Sequence, residues 1–247
     1  MNFSEIKAAY HLFGCRDFCH RVVRRLLDPV VPLLSYAQMG EDIIVEQLFH
    51  SVGIRFPTYL EIGTNHPKFG NNTYKLYRKG CRGVLIEAAP SLIPLIKRTR
   101  PKDKVLNIGV GESGGHSMKF FMFAQSAINT FDPKEADIRK SQGEAIKDIV
   151  DIPIRVINAV LAEHFPTRPD FLSIDIEGLD LPVLKTLDVQ TYPIPVVCVE
   201  TCQFSQTHIK ETDQEIVSFM ESIGYAVYAN TYINTIFVNK DWFQQPR

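Results

Sequence analysis

"YLEIGTNHPKFGNNTYKLYRKGCRGVLIEAAP", Tyr59 to Pro90, holds two hydrophobic runs, the first ending in Gly63 and the second in Glu87, with a polar loop and a helix-like stretch between them. In an open α/β sheet, ligands bind outside the carboxyl ends of the strands, so the turn after the first run is where function is to be sought. Gly63 lacks a Cβ, which allows both a tight turn and a close approach of main chain to ligand. Glu87 follows at close to the ~20-residue separation at which an acidic side chain accepts hydrogen bonds from ribose hydroxyls. Together they point to a nucleoside-containing cofactor. A structural turn and a solvated glutamate are the alternative.

Working outward, strands are expected at Thr58 to Ile62, Gly83 to Ile86, Val105 to Val110, Phe171 to Ile176, Val196 to Glu200, Ala226 to Asn230 and Thr235 to Asn239. Helices fit Glu41 to Ser51, Thr73 to Lys79, Pro90 to Thr99, Val156 to His164, Leu181 to Thr186 and Asp213 to Ile223. Short strands alternating with helices argue for an α/β fold, a parallel sheet covered on both faces. The last two strands read as an antiparallel hairpin at the sheet's edge. Ala124 to Ile152 is charged and lacks a clear apolar face, which suggests a mobile loop or short helix, either a lid or a solvated insertion.

The chain has 247 residues, enough for one domain with an appendage. Ile6, Ala9, Tyr10, Phe13, Val22, Val23, Leu26 and Leu27 recur at roughly helical spacing among Arg16, Arg21, Arg24 and Arg25. Residues 1–34 are therefore expected to form an amphipathic helical extension and 35–247 the main domain. The extension would cover its own domain or a sister subunit in a homo-oligomer, or rest on a membrane surface.

A net charge of -1 gives no general attraction to nucleic acid or anionic membranes. No apolar stretch reaches the ~20 residues of a transmembrane span, and the N-terminus lacks a signal-like run, so a cytoplasmic protein is expected. Cys15, Cys19, Cys81, Cys198 and Cys202 are scattered and odd in number, fitting reduced thiols better than disulfides or zinc.

Which nucleoside is narrowed by what is missing. Gly63 is followed by Thr64, Asn65, His66 and Pro67, without the later glycines that seat a pyrophosphate on a helix N-terminus. "GVGESG", Gly109 to Gly114, has the glycine spacing of a dinucleotide fingerprint, but the "GHSMKFFMF" that follows alternates like a strand, so it reads as a turn. S-adenosylmethionine has a ribose and an adenine but no phosphate, and it fits an acidic second strand without a phosphate cradle.

Four blocks in order, "SYAQMGEDIIVEQLF", "LEIGTNHPKFGNNTYKLYRKGCRGVLIEAAP", "VLNIGVGESGG" and "PDFLSIDIEGLDLPVLKTLD", resemble the FkbM family of S-adenosylmethionine-dependent methyltransferases across Ser35 to Thr201. The resemblance implies a class I methyltransferase (Rossmann-like) fold, with a seven-stranded, mostly parallel sheet containing one antiparallel strand. It also implies O-methylation of sugar or polyketide hydroxyls. On this resemblance Glu61, Gly63, Thr64 and Asn65 form the first cofactor motif, Glu87 holds the ribose, and Ile108, Gly109 and Val110 enclose the adenine. Gln38, Glu41 and Asp42 match the block that packs beside the cofactor. Asp175, Glu177 and Gly178 match the signature after the fourth strand, and "NHP" departs from the family's first loop.

Methyl transfer is an in-line displacement in which a hydroxyl must be aligned and deprotonated. Asp175, at the end of the central strand, is placed to act as the base. In a second scheme Asp175, Glu177 and Glu200 hold a Mg2+ that lowers the hydroxyl's pKa. Of the histidines His66, His164 and His208, the last follows the Glu200 strand in a polar loop and completes a catalytic set with Asp175 and Glu177. Asn234, in the hairpin connection, is either a wall of the acceptor pocket or an ordinary turn residue. An NAD-dependent sugar oxidoreductase and a non-catalytic scaffold are the competing classes.

Overall fold

The computed structural model describes residues 33–176, 178–203 and 211–244. By its contacts the chain divides into Met1–Leu34 and Ser35–Arg247, and the elements below all belong to the second unit. The helix expected within residues 1–34 lies outside the described residues.

Seven strands form the central sheet: β1 (Tyr59–Ile62), β2 (Gly83–Ile86), β3 (Lys104–Leu106), β7 (Phe171–Ile174), β8 (Val196–Glu200), β11 (Tyr225–Asn230) and β12 (Asn234–Asn239), in the order β11-β12-β8-β7-β1-β2-β3. All neighbouring pairs from β3 to β8 are parallel. β12 is antiparallel to both β8 and β11, and it is the one reversed strand of the expected class I methyltransferase fold. The chain moves outward through β1, β2 and β3, then returns to β7 on the other side of β1. The order therefore reverses between β1 and β7, and a crevice opens there.

β1 and β7 are buried on both faces, as is usual for parallel strands beneath helices. Leu60, Ile62, Leu172 and Ile174 face one layer, packing with Val160 and Leu161 of helix Ile157–His164 and Val183 and Leu184 of helix Asp180–Lys185. Tyr59, Leu85, Phe171 and Cys198 face the other, against Val45, Leu48 and Phe49 of helix Glu41–Ser51. Two residues per repeat thus assign alternate side chains to opposite layers.

Two expectations need correction. The run Val105 to Val110 is not one strand: β3 stops at Leu106, and β4 (Gly109–Val110) pairs with β6 (Ile146–Arg155) in a separate sheet. The break falls at Asn107, whose Nδ2 donates to the carbonyls of Glu87 and Ala88 at 2.8 and 2.9 Å and so turns the chain toward the end of β2.

The segment Ala124 to Ile152, expected as a mobile loop or a short helix, holds the short helix and a strand besides. It contains a 3-10 turn (Ser126–Ile128), helix Pro133–Ser141 capped by Asp132, and β6, which runs antiparallel to β5 (Ser117–Phe123). Much of β6 is exposed, so its sequence carries charges where a buried strand would show an apolar run. β5 forms where "SMKFFMF" alternates. Among the described residues no helix is long and apolar enough to cross a membrane. Cys81 and Cys198 are buried free thiols.

Candidate active site

The crevice is built from the ends of β1 and β7. Asp175 donates its backbone N–H to the Ile62 carbonyl at 3.1 Å. Its own carbonyl oxygen would lie 1.8 Å from a Cβ on Gly63, whose φ is +84°. Position 63 must be glycine for two reasons, the left-handed backbone and this contact. The contact that requires the glycine is thus made by the protein's own main chain.

From Gly63 the loop is fastened to β2. The amides of Gly63 and Thr64 both donate to the Ile86 carbonyl, at 3.0 and 3.1 Å. Asn65, at φ 47°, donates its amide to Glu87 Oε2 at 2.7 Å, and Ala89 donates to Oε1 at 2.7 Å. Glu87 is 6% exposed, and burial pushes its carboxyl above the ordinary range. Each oxygen keeps a further lone-pair site, so the carboxylate can accept from a diol without releasing the loop.

The cavity measures about 590 Å3, within the ~300–1,000 Å3 common for small-molecule sites. Its wall includes Gln38, Gly63, Thr64, Asn65, Glu87, Ile108, Gly109, Val110, Asp175 and Glu200, ten side chains or backbones singled out from sequence. The opposite wall comes from the segment after β5, with Gln125, Asn129, Glu135, Arg139 and Gln142. Ser126 Oγ donates to Asn65 Oδ1 at 2.7 Å and ties this wall to the first loop. Gly109 makes room for it, since a Cβ there would sit 2.6 Å from Ile154 and 2.7 Å from Phe131.

Glu61 does not line the cavity. Strand alternation sends its side chain to the Tyr59 face, where Oε2 accepts from Asn71 Nδ2 at 3.0 Å and from Arg100 at 3.3 Å. Arg100 is fully buried and also donates to Asp103 at 2.7 Å, Asn71 Oδ1 at 3.1 Å and Thr73 Oγ1 at 2.8 Å. Glu61 therefore braces the loop from beneath. Burial raises its carboxyl and the Arg100 charge opposes that rise. The Arg100–Asp103 pair in "RPKD" was the available sequence signal.

Glu41 and Asp42 likewise serve as struts. Asp42 accepts from Ser35 Oγ at 2.6 Å and the Tyr36 amide at 2.7 Å, which fixes the segment that brings Gln38 to the cavity. Glu41 accepts from the Met39 amide, from Thr231 Oγ1 and from Asn234 Nδ2. Asn234 is buried in this cluster and does not line the cavity, whereas its neighbour Ile233 does. His66 caps its own loop, its Nδ1 accepting from the amides of Lys68 and Phe69 at 3.2 and 3.0 Å. His164 sits beside Lys104, away from the cavity. His208 and Glu177 lie outside the described residues.

Asp180, the last acid of "DIEGLD", was missed. It is 4% exposed, and its two oxygens accept from the amides of Ile176 and Gly178, each at 3.2 Å. Burial first, then the charge of Asp175, pushes its carboxyl up to about 7. Among the described residues no group of three His, Cys, Asp or Glu side chains converges to hold a metal ion. Asp175 and Glu200 remain on the cavity wall as separate oxygen donors.

The sequence matches the methyltransferase FkbM domain over residues 61–227. The chain belongs to the FkbM methyltransferase family. No curated protein matches it. Among solved structures this FkbM methyltransferase is similar to the 1,6-didemethyltoxoflavin-N1-methyltransferase of Burkholderia thailandensis, with 11% identity, 96% of this chain and 89% of that chain covered, and a TM-score of 0.41. A TehB-like SAM-dependent methyltransferase from Corynebacterium glutamicum shares 11% identity over 91% of this chain and 97% of its own, with a TM-score of 0.42. An O-methyltransferase from Bacillus cereus in complex with SAH shares 13% identity over 96% and 90%, with a TM-score of 0.39. The FkbM match takes in Gly63, Glu87, Asp175 and Glu200 and leaves Gln38 outside it.

Proposed function

We propose that this FkbM methyltransferase uses S-adenosylmethionine to methylate a hydroxyl of an uncharged sugar or glycan, with residues 35–247 as the catalytic domain. The observation that carries the reading is the charge of the cavity at the β1/β7 reversal. Among the described residues its wall holds five carboxylates, Glu87, Glu135, Glu144, Asp175 and Glu200, and one guanidinium, Arg139, which donates to Glu135 at 2.9 Å. An anionic wall favours a sulfonium and opposes a pyrophosphate or a phosphorylated acceptor. That weighs against the nicotinamide reading, as does the lack of a glycine-rich phosphate seat after β1.

The residues fit the donor. Glu87 takes the ribose diol on its remaining lone pairs, Ile108, Gly109 and Val110 enclose the adenine, and the Gly63–Asn65 turn with Gln38 receives the amino-acid end. Gln125, Asn129 and Gln142 offer the acceptor uncharged donors and acceptors, which suits a polyhydroxylated ligand.

When bound, the donor supplies an electrophilic methyl group on a positively charged sulfur. Asp175 would orient the acceptor hydroxyl and take its proton, making its oxygen the nucleophile toward that methyl group. The metal-assisted route would draw on Asp175, Glu177 and Glu200. Direct proton transfer is preferred because Asp175 needs no further ligand to act as a base.

Incubation of the protein with methyl-labelled S-adenosylmethionine and a panel of neutral, acidic and phosphorylated sugars tests this reading. Label is expected in neutral sugars, with Asp175→Asn slower by about 10²–10⁴-fold. Labelling confined to phosphorylated acceptors, or at the wild-type rate in Asp175→Asn, would overturn it.

A further inference from the structure

The first loop meets the opposite wall of the cavity through one side chain. Asn65 Oδ1 accepts from Ser126 Oγ at 2.7 Å, while the backbone N–H of Asn65 donates to Glu87 Oε2 at 2.7 Å. Nδ2 of the same side chain has no hydrogen-bond partner among the described residues and is not sealed from solvent. Asn65 lines the cavity, so this donor opens onto the ligand space. We propose that Ser126 is a positioning residue for the methyl donor: its hydroxyl fixes the Asn65 amide so that Nδ2 donates to a ribose oxygen, beside the hydroxyls that Glu87 accepts. This inference rests on the donor assignment above.

A ribose diol presents two O–H donors and lone pairs on both oxygens, whereas an ionised carboxylate only accepts. Glu87 therefore satisfies one half of the diol's needs, and the lone pairs require an N–H from elsewhere. Asn65 is placed to supply it, because its backbone is already bound to Glu87. An asparagine amide can turn over and exchange oxygen for nitrogen with little change of shape, so its partners decide which atom faces the ligand. Here the Ser126 hydroxyl takes Oδ1 and leaves Nδ2 to face the ligand. Ser126 is itself firmly held. It opens the 3-10 turn Ser126–Ile128, its carbonyl accepts from the Asn129 amide at 3.2 Å, and Asn129 Oδ1 accepts from the Phe123 amide at 2.8 Å. Phe121 and Thr130 exchange backbone hydrogen bonds at 2.9 and 3.1 Å and close the base of this tip. A donor preset in this way needs no reordering when the ribose arrives.

Calorimetric titration of the full-length protein with S-adenosylhomocysteine and its 2′-deoxy and 3′-deoxy analogues tests this. Wild type is compared with Ser126→Ala, Ser126→Thr and Asn65→Gly, since threonine keeps the hydroxyl and glycine accepts the positive φ of residue 65. Ser126→Ala and Asn65→Gly are each expected to bind S-adenosylhomocysteine about 3–10-fold more weakly, the effect of one lost hydrogen bond. For the analogue that lacks the contacted oxygen, both variants stay within about twofold of wild type, because the bond they remove is already missing. Ser126→Thr binds all three ligands as wild type does. An equal loss for all three ligands in Ser126→Ala and Asn65→Gly, or no loss for any, overturns the inference while leaving the donor assignment intact. Absence of S-adenosylhomocysteine binding to wild type overturns the donor assignment itself, and this inference with it.

Discussion

The carbonyl oxygen of Asp175 occupies the space that a side chain at residue 63 would need, 1.8 Å from where the Cβ of any other residue would stand. The first loop and the proposed base are thereby interlocked at the point where the strand order reverses. Gly63→Ala is expected to cost about 2–4 kcal/mol of stability, because it combines a backbone clash with an unfavourable positive φ. Chemical denaturation measures this. A loss under ~0.5 kcal/mol would mean that the two strand ends are not locked together.

Glu87→Gln keeps the shape of the side chain but removes the charge that its hydrogen bonds to a ribose diol would use. S-adenosylmethionine affinity is expected to fall by about 2 kcal/mol, some 30-fold, in calorimetric titration. Unchanged affinity would remove Glu87 from the donor site.

Arg100 is fully buried among Glu61, Asp103, Asn71 and Thr73, and its loss leaves buried carboxylates without their cation. Arg100→Met is expected to destabilise the protein by about 3–5 kcal/mol, the usual cost of breaking one side of a buried ion pair. The same measurement on Glu61→Gln checks that this acid braces the loop, through a stability loss larger than its effect on donor affinity.

Asp180 also sets a pH dependence. Its carboxyl rises from 3.8 unfolded to about 7 folded, so between those values the native state binds the extra proton. Stability from this group is fully present below pH 3.8 and is lost as pH climbs through 7, a loss of about 4 kcal/mol by pH 8. Glu61, Glu87 and Asp42 are raised in the same direction and act with the same sign. Thermal denaturation from pH 4 to 8 should show a shallower decline in Asp180→Asn than in wild type. Parallel curves would contradict the assignment.

The sheet could be read from the chain because most of its parallel strands are short, mainly apolar runs, "YLEI", "GVLI", "FLSI" and "VVCVE", separated by helical spacing. β6 was hidden because it is largely exposed and mixes Lys147, Asp148, Asp151 and Arg155 among its isoleucines without a regular alternation. Glu61 and Glu87 look alike in sequence, each an acid at or near a strand end. Position along the strand distinguishes them: Glu61 lies within β1 and points to the Tyr59 face, whereas Glu87 follows the last residue of β2 and enters the cavity wall. Asp180 escaped notice because its partners are backbone amides, and no residue type advertises an amide that needs an acceptor.

The central claim is most directly tested by a crystal structure with S-adenosylhomocysteine bound. The ribose hydroxyls are expected within hydrogen-bonding distance of the Glu87 carboxylate, with the sulfur facing Asp175. A ligand seated elsewhere, or with its ribose turned away from Glu87, would contradict the account.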